Sequence, residues 1–333
     1  MNLEWFSVAI LIFGFSMLGN ALLIRYANII NILDIPNVRS SHLHVTPRSG
    51  GIAIIVSFSL GVGLYDASML KGFWMPLLLV FAMGLWDDIA SLSSRLKLLL
   101  SAIAGAWLFA SGFEIFRFGH FLGHEIVFSY GVALTFCAFA ISGFTNALNL
   151  IDGLDGLASS VSLIILLSFA YIGFKFDDSF LFVMTTFLMC AMSGFLVFNW
   201  HPAKIFMGDS GSFSIGFTIA MVVVYAIGQG YITAISTLLL AAVPILDTLI
   251  VMLRRSVKGQ NPLHADKTHM HHRLMEHLGG NTRKTVILMA CLQALFSYIG
   301  LGFKVRDDSI ILLLYLLSFI IFYTLLTPHK ESR

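Results

Sequence analysis

The stretch "NALNLIDGLDGLA" (146–158) joins two long apolar runs, 130–147 and 156–174, and carries Asn146, Asn149, Asp152 and Asp155 at intervals of three. Inside hydrocarbon, four such side chains would be costly to satisfy. At the point where one span leaves the membrane and the next enters, they would form a polar turn. Composition makes the choice necessary. Of 333 residues, 58% are hydrophobic and 11% charged, with mean hydropathy +0.88. That charge content is less than half the ~25% of soluble domains, so the bilayer is the expected solvent. Thirty Phe against nine Tyr and five Trp suit lipid-facing helices. Cys137, Cys190 and Cys291 lie in apolar runs at no metal-ligand spacing and read as buried, inert thiols. A formal net charge of +2 carries no nucleic-acid signal, and none is expected as a partner.

Crossing the hydrocarbon takes about 20 apolar residues, ~17 at the short end. Spans are expected at 3–24, 50–66, 72–87, 96–112, 130–147, 156–174, 179–198, 211–228, 231–252, 285–303 and 309–327. The chain therefore reads as an all-α, polytopic membrane protein of about eleven helices in a single domain, 1–333. The first run lacks the basic start of a signal peptide, and the chain after it is just as apolar, so it reads as a retained span.

With eleven spans the loops alternate between faces. One face holds Arg25, Arg39, Arg48, Arg95, Lys97, Lys204, Arg254, Arg255, Lys258, Lys267, Arg273, Arg283, Lys284, Lys330 and Arg333. The other holds Lys71, Arg117, Lys175, Lys304 and Arg306. Fifteen against five makes the rich face cytoplasmic, the N-terminus external and the C-terminus internal. The polar clusters fall on that same face, in loops 25–49, 87–95, 146–156, 199–210 and 254–285. The external "KFDDS" and "KVRDDS" look like solvated connectors. Five polar clusters on one face suggest one site.

Each cluster admits a plain reading beside a chemical one. Three residues turn a helix by about 300°, so Asn146, Asn149, Asp152 and Asp155 would form a slowly drifting stripe. Gly153 and Gly156 weaken the helix and allow close approach of a ligand. Capping and an Asp-Gly turn are one reading; hard-cation or sugar binding is the other. In "WDDIASLSSRLK" (86–97), Asp87 and Asp88 cap the next helix, or one enters the site while the other orients or pairs with Arg95 or Lys97. "FMGDSGS" (206–212) offers an N-cap at Asp209, or an anion site at a helix start. "HADKTHMHHRL" (264–274) brings His264, His269, His271 and His272 together with Lys267 and Arg273. Zinc, phosphate and a solvated basic loop all remain open there, although no cysteine or H-E-x-x-H pattern accompanies the histidines. Asp247 sits roughly 10 Å into the membrane from Arg254. It is either functional or the partner of a neighbouring His or Arg.

"GFLVFNWHPAKIFMGDSGS" (194–212) and "NALNLIDGLDGLA", with three further motifs between about 34 and 275, resemble the polyprenyl-phosphate N-acetylhexosamine-1-phosphate transferase family (glycosyltransferase family 4). The H-x-H-H pattern with Met270 between His269 and His271 resembles its bacterial GlcNAc-1-phosphate branch rather than the muramyl-pentapeptide branch. The resemblance implies transfer of a HexNAc 1-phosphate from a UDP-N-acetylhexosamine to undecaprenyl phosphate, with UMP released. It also implies Mg²⁺ as cofactor, with Mn²⁺ as a substitute, and the bacterial inner membrane as location, with the site facing the cytoplasm. Membrane lipids surround it, and a homodimer is compatible. By motif position, Asp209 and Asn149 resemble the metal ligands, while Asp87, Asp88, Asp152 and Asp155 resemble the catalytic carboxylates. Phe206 resembles the uracil-stacking residue, with Gly153, Leu154 and Asp155 beside it. His269, His271 and His272 resemble the contacts to the donor diphosphate. Asn146, Lys204, Arg273, Arg95, Arg39, His42 and Arg48 complete the expected substrate-binding set.

The expected reaction is in-line attack of the lipid phosphate on the donor's β-phosphorus, with a two-step route through a covalent phospho-aspartate as the alternative. A phosphate monoester is mainly dianionic at pH 7, with a second pKa of about 6. A carboxylate of ordinary pKa, about 3.9, is a poor base towards it. The rival from another class is an ion-coupled transporter using the clustered aspartates.

Overall fold

The computed structural model describes residues 3–35, 45–260, 269–303 and 307–327. Arg39, His42, His264 and Lys267 lie outside the described residues. The chain is an all-α polytopic membrane protein. Its helices run α1 Leu3–Arg25, α2 Ala27–Ile30, α3 Gly50–Asp66, α4 Trp74–Ile89, α5 Ser94–Ala110, α6 Tyr130–Ile151 and α7 Leu157–Lys175. They continue with α8 Ser179–Asn199, α9 Gly208–Gly228, α10 Thr237–Leu240, α11 Ala242–Val257, α12 Met270–His277, α13 Thr282–Gly302 and α14 Asp308–Leu326. Strand pairs β1 Leu33–Asp34 with β2 Thr46–Pro47, and β3 Arg117–Phe121 with β4 His124–Val127, are small antiparallel additions.

Among the described residues, eight helices are long and apolar enough to cross a bilayer: α1, α3 with its following turn, α6, α7, α8, α9, α13 and α14. Three further expected spans coincide with α4, α5 and α11, of 16, 17 and 16 residues. The expected span 231–252 departs from a simple helix. Residues 231–236 are irregular, and the helix breaks at Ala241 before continuing to Val257. A break frees peptide groups that hydrocarbon cannot satisfy. Here Gln293 of α13 takes them: its Oε1 accepts from Val243 N at 3.0 Å and its Nε2 donates to Leu240 O at 2.9 Å.

α9 is the most deeply enclosed span, wedged between α3, α4 and α6, whereas α1 and α14 turn Phe6, Ile10, Phe15, Leu313, Leu317 and Ile321 outwards as lipid-facing helices do. Small residues let the backbones close on α9. A Cβ on Gly84 would lie 2.5 Å from Asp209 O, and one on Gly51 would lie 2.2 Å from Gly211 N. These contacts hold the end of α4 and the start of α3 against the first turn of α9.

Two connectors expected to be external are not simply solvated, contrary to the expectation from sequence. Asp178 caps α8 through Leu181 N and accepts from Tyr225 and Tyr231 hydroxyls, both at 2.9 Å. Asp308 is fully buried and accepts from His120 N and Thr233 Oγ1. Both carboxylates tie separate elements together.

Candidate functional site

The first turn of α9 has no side-chain cap from its own N-cap residue, Met207. Its orphan N–H groups are served by α4. Asp88, 4% exposed, accepts from Asp209 N (2.8 Å, Oδ1) and Ser210 N (2.9 Å, Oδ2), and its own carbonyl accepts from Arg48 Nη2 at 2.7 Å. A carboxylate at a helix N-terminus also meets the favourable end of the dipole. Of the two readings of this helix start, a cap or an anion site, neither Asp209 capping nor a free anion site holds: a carboxylate from α4 fills the position. Gly208, with φ +73°, is where the chain turns in; a Cβ there would lie 2.3 Å from Arg48 O.

That capping aims Asp209 at a cluster. Lys97 Nζ stands 2.7 Å from Asp209 Oδ2 and 3.1 Å from Asp87 Oδ2, and Asp87 Oδ1 accepts from Leu92 N at 2.6 Å. Asn149 Nδ2 donates to Asp209 Oδ1 (3.1 Å) and Ser212 Oγ (2.9 Å). Asp87 is therefore the member of the Asp-Asp pair joined to Lys97, and Asp88 the one that orients.

The expected stripe does not persist. α6 stops at Ile151, and Gly156 enters α7 with φ +77°. Asn149 faces Asp209, but Asp155 turns to His201, with Oδ2 2.7 Å from Nδ1 and 3.1 Å from Ala203 N. Asp152, at the α6 C-cap, lies in the field of Asp209, Asp88 and Asp155. Enclosure first, and then those charges, push its pKa up to about 7. Asn146 reaches back to Ser142 O of its own helix.

The second side of the site comes from α12. His271 Nε2 lies where a Cβ on Gly153 would be 2.6 Å away, and the half-buried His272 ring follows at 4.3 Å between centroids. His269 and His271 turn their Nδ1 atoms to Asp247. Phe206 is half-buried on a segment whose N–H donates to Pro47 O at 2.8 Å, while Leu154 is buried in the core. Lys204 and Arg95 are exposed, and Arg273 pairs with Glu276 at 3.2 Å.

Sequence reasoning placed Lys97 only as a pairing partner and passed over three residues. Asn199 is buried; its Oδ1 accepts from Gly156 N (3.1 Å) and its Nδ2 donates to Ile205 O (3.0 Å), joining the two polar turns. His201 meets Asp155, and Arg283 Nε donates to His201 O at 3.1 Å. The signal for the first two was their place in "FNWHPAK"; nothing local marks Arg283.

A hard cation suits this donor set. Asp87, Asp88, Asp152, Asp155 and Asp209 put five carboxylates near one another against Lys97 and Arg48, and after enclosure these neighbouring charges are what raise the pKa of Asp152. Asp209 and Asp87 present oxygen. Asn149 presents its amide nitrogen to Asp209 and would have to turn over to ligate beside it.

The raised pKa has a testable sign. The folded protein keeps a proton on Asp152 that the unfolded chain, near the ordinary 3.8, releases. Its contribution to stability is therefore favourable at low pH and is lost as pH rises towards about 7. In chelator, the melting temperature of wild type relative to Asp152→Asn should fall between pH 5 and pH 8, scanned in detergent, and added Mg²⁺ should narrow the gap at pH 8. A pH-independent difference would contradict the assignment.

The sequence model of glycosyl transferase family 4 matches residues 70–227. A Bacillus subtilis (strain 168) protein named probable undecaprenyl-phosphate N-acetylglucosaminyl 1-phosphate transferase is 30% identical over 286 residues, 84% of this chain and 79% of its own. The Mycolicibacterium smegmatis decaprenyl-phosphate N-acetylglucosaminephosphotransferase is 33% identical over 290 residues, 76% and 71% of the two chains. The undecaprenyl-phosphate alpha-N-acetylglucosaminyl 1-phosphate transferase of Escherichia coli (strain K12) is 29% identical over 334 residues, 93% and 88%. With the motifs of α4, α6 and α9 meeting around Lys97, and relatives that align along most of the chain, this protein belongs to glycosyl transferase family 4.

Proposed function

We propose that the protein transfers a HexNAc 1-phosphate, with GlcNAc 1-phosphate the first choice, from a UDP-sugar to undecaprenyl phosphate at the cytoplasmic face of a bacterial inner membrane. The product is a diphosphate-linked lipid for a cell-surface polysaccharide, and UMP is released. The observation that carries the reading is Lys97 held between Asp87 and Asp209, with Asn149 and Asp152 beside them, in a protein whose outer helices face lipid. Relatives named for this transfer support it. The transporter reading finds no support: the carboxylates gather at the ends of α4, α6 and α9 rather than in repeat-related helices.

In the reaction, an oxygen of the lipid phosphate forms a bond to the donor's β-phosphorus as the bond from that phosphorus to the UMP oxygen breaks. Attack of one anion on another is uphill, so catalysis consists mainly of neutralising and aligning charge. Asp209 and Asp87 would hold Mg²⁺, which when bound supplies neutralisation of the diphosphate. Lys97 offers its ammonium to the phosphate oxygens at the same place. The dianionic acceptor needs no general base, so Asp87 serves to hold Lys97 and the cation. Asp88 holds the first turn of α9, which aims Asp209. Asp155 fixes His201, and α12 brings His271 and His272 to the turn on the donor side.

The test is purified protein with short-chain polyprenyl phosphate and a panel of radiolabelled UDP-HexNAc donors. Label is expected in the extractable lipid with one UMP formed per transfer, fastest with UDP-GlcNAc. No transfer from any member of the panel would refute the reading.

A further inference from the structure

Asp247 lies on α11 and its side chain is 1% exposed. A carboxylate so enclosed has to be matched by donors. Among the described residues, they come from one short segment at the entry of α12. The Met270 backbone N–H donates to Oδ1, His269 Nδ1 lies 3.0 Å from Oδ2, and His271 Nδ1 lies 3.4 Å from the same oxygen. His269 and His271 are themselves 5% and 1% exposed. The opposite edge of the His271 ring is packed on the 152–156 turn, its Nε2 only 2.6 Å from the position of a Cβ on Gly153. His272 and Arg273, both half-buried, come next on α12. Asp247 reaches that turn through the His271 ring, which lies between them.

We propose that Asp247 is a positioning residue: by holding His269, the Met270 amide and His271 together, it docks α12 on the 152–156 turn and sets the histidines towards the donor diphosphate. This rests on the functional reading above. The hydrogen bond to Asp247 sets the tautomer and orientation of His269, whereas His271 Nδ1 makes only a 3.4 Å electrostatic contact with the same oxygen and turns its opposite edge, Nε2, to the turn. Asparagine at 247 keeps the shape but only one acceptor oxygen, which cannot serve both the amide and the rings.

The test uses the full chain in detergent, comparing wild type, Asp247→Asn, His271→Ala, their double variant and Gly153→Ala. The last displaces His271 from the other side and leaves Asp247 intact. Asp247→Asn should raise the donor KM about tenfold or more while leaving the acceptor KM unchanged, with the double variant no worse than His271→Ala. Gly153→Ala should show the same donor-side defect. A general loss of folded enzyme would instead lower kcat and spare both KM values. An unchanged donor KM in Asp247→Asn or in Gly153→Ala, additive effects in the double variant, or one tightly held zinc per chain by mass spectrometry would overturn the proposal. The last outcome would make the same three residues a metal site. If wild type makes no lipid-linked product, the functional reading itself fails; an active wild type beside a normal Asp247→Asn sinks this inference alone.

Discussion

Asp209→Asn should reduce transfer of labelled sugar phosphate to lipid by about 10³-fold or more, roughly 4 kcal/mol of transition-state stabilisation. The substitution preserves shape and removes one charge at the point where four groups meet. Lys97 Nζ and Asn149 Nδ2 both approach this carboxylate, at 2.7 and 3.1 Å. An amide there would present a donor to at least one of two donors and would lose the site's foremost cation ligand. Folding should survive, because Lys97 keeps Asp87 at 3.1 Å. The informative measurement is kcat with saturating donor and acceptor across a Mg²⁺ series, together with a melting curve. Turnover within threefold of wild type, at wild-type stability, would remove Asp209 from the reacting centre.

Asp88→Asn should act on structure and activity together. Both oxygens of this buried side chain accept backbone N–H groups of α9, so an amide can satisfy only one and turns a donor against the other. Leaving a buried N–H unpaired and removing a charge from a helix start should cost about 2–4 kcal/mol of stability. Activity should fall about 100-fold even below the melting transition, because the turn that aims Asp209 loses one of its two anchors. Thermal unfolding in detergent and turnover at low temperature separate the two effects. A variant that melts with wild type would mean that α9 does not depend on this cap.

Much of the fold was legible because apolar runs of span length are their own evidence. The sequence also indicated which polar clusters to watch. It could not show how α9 begins. "GDSGS" reads equally well as a cap or as an anion site, and the answer lies in a carboxylate supplied by another helix. The stripe failed for a local reason, since α6 ends at Ile151, just before Gly153, so Asp155 cannot share its face and instead finds His201. Asp178 and Asp308 looked solvated because burial by distant tyrosine, threonine and backbone groups leaves no trace in neighbouring residues. Asp247 was open to a partner in either sense, and its histidines arrive from beyond a long connection.

The Gln293 bracket over the helix break has a wider effect. It references the upper part of α11, and hence the height of Asp247, to α13. Near the other end of α13, Arg283 grips the backbone of His201. Both imidazole-bearing arms of the pocket are thus mounted on one beam.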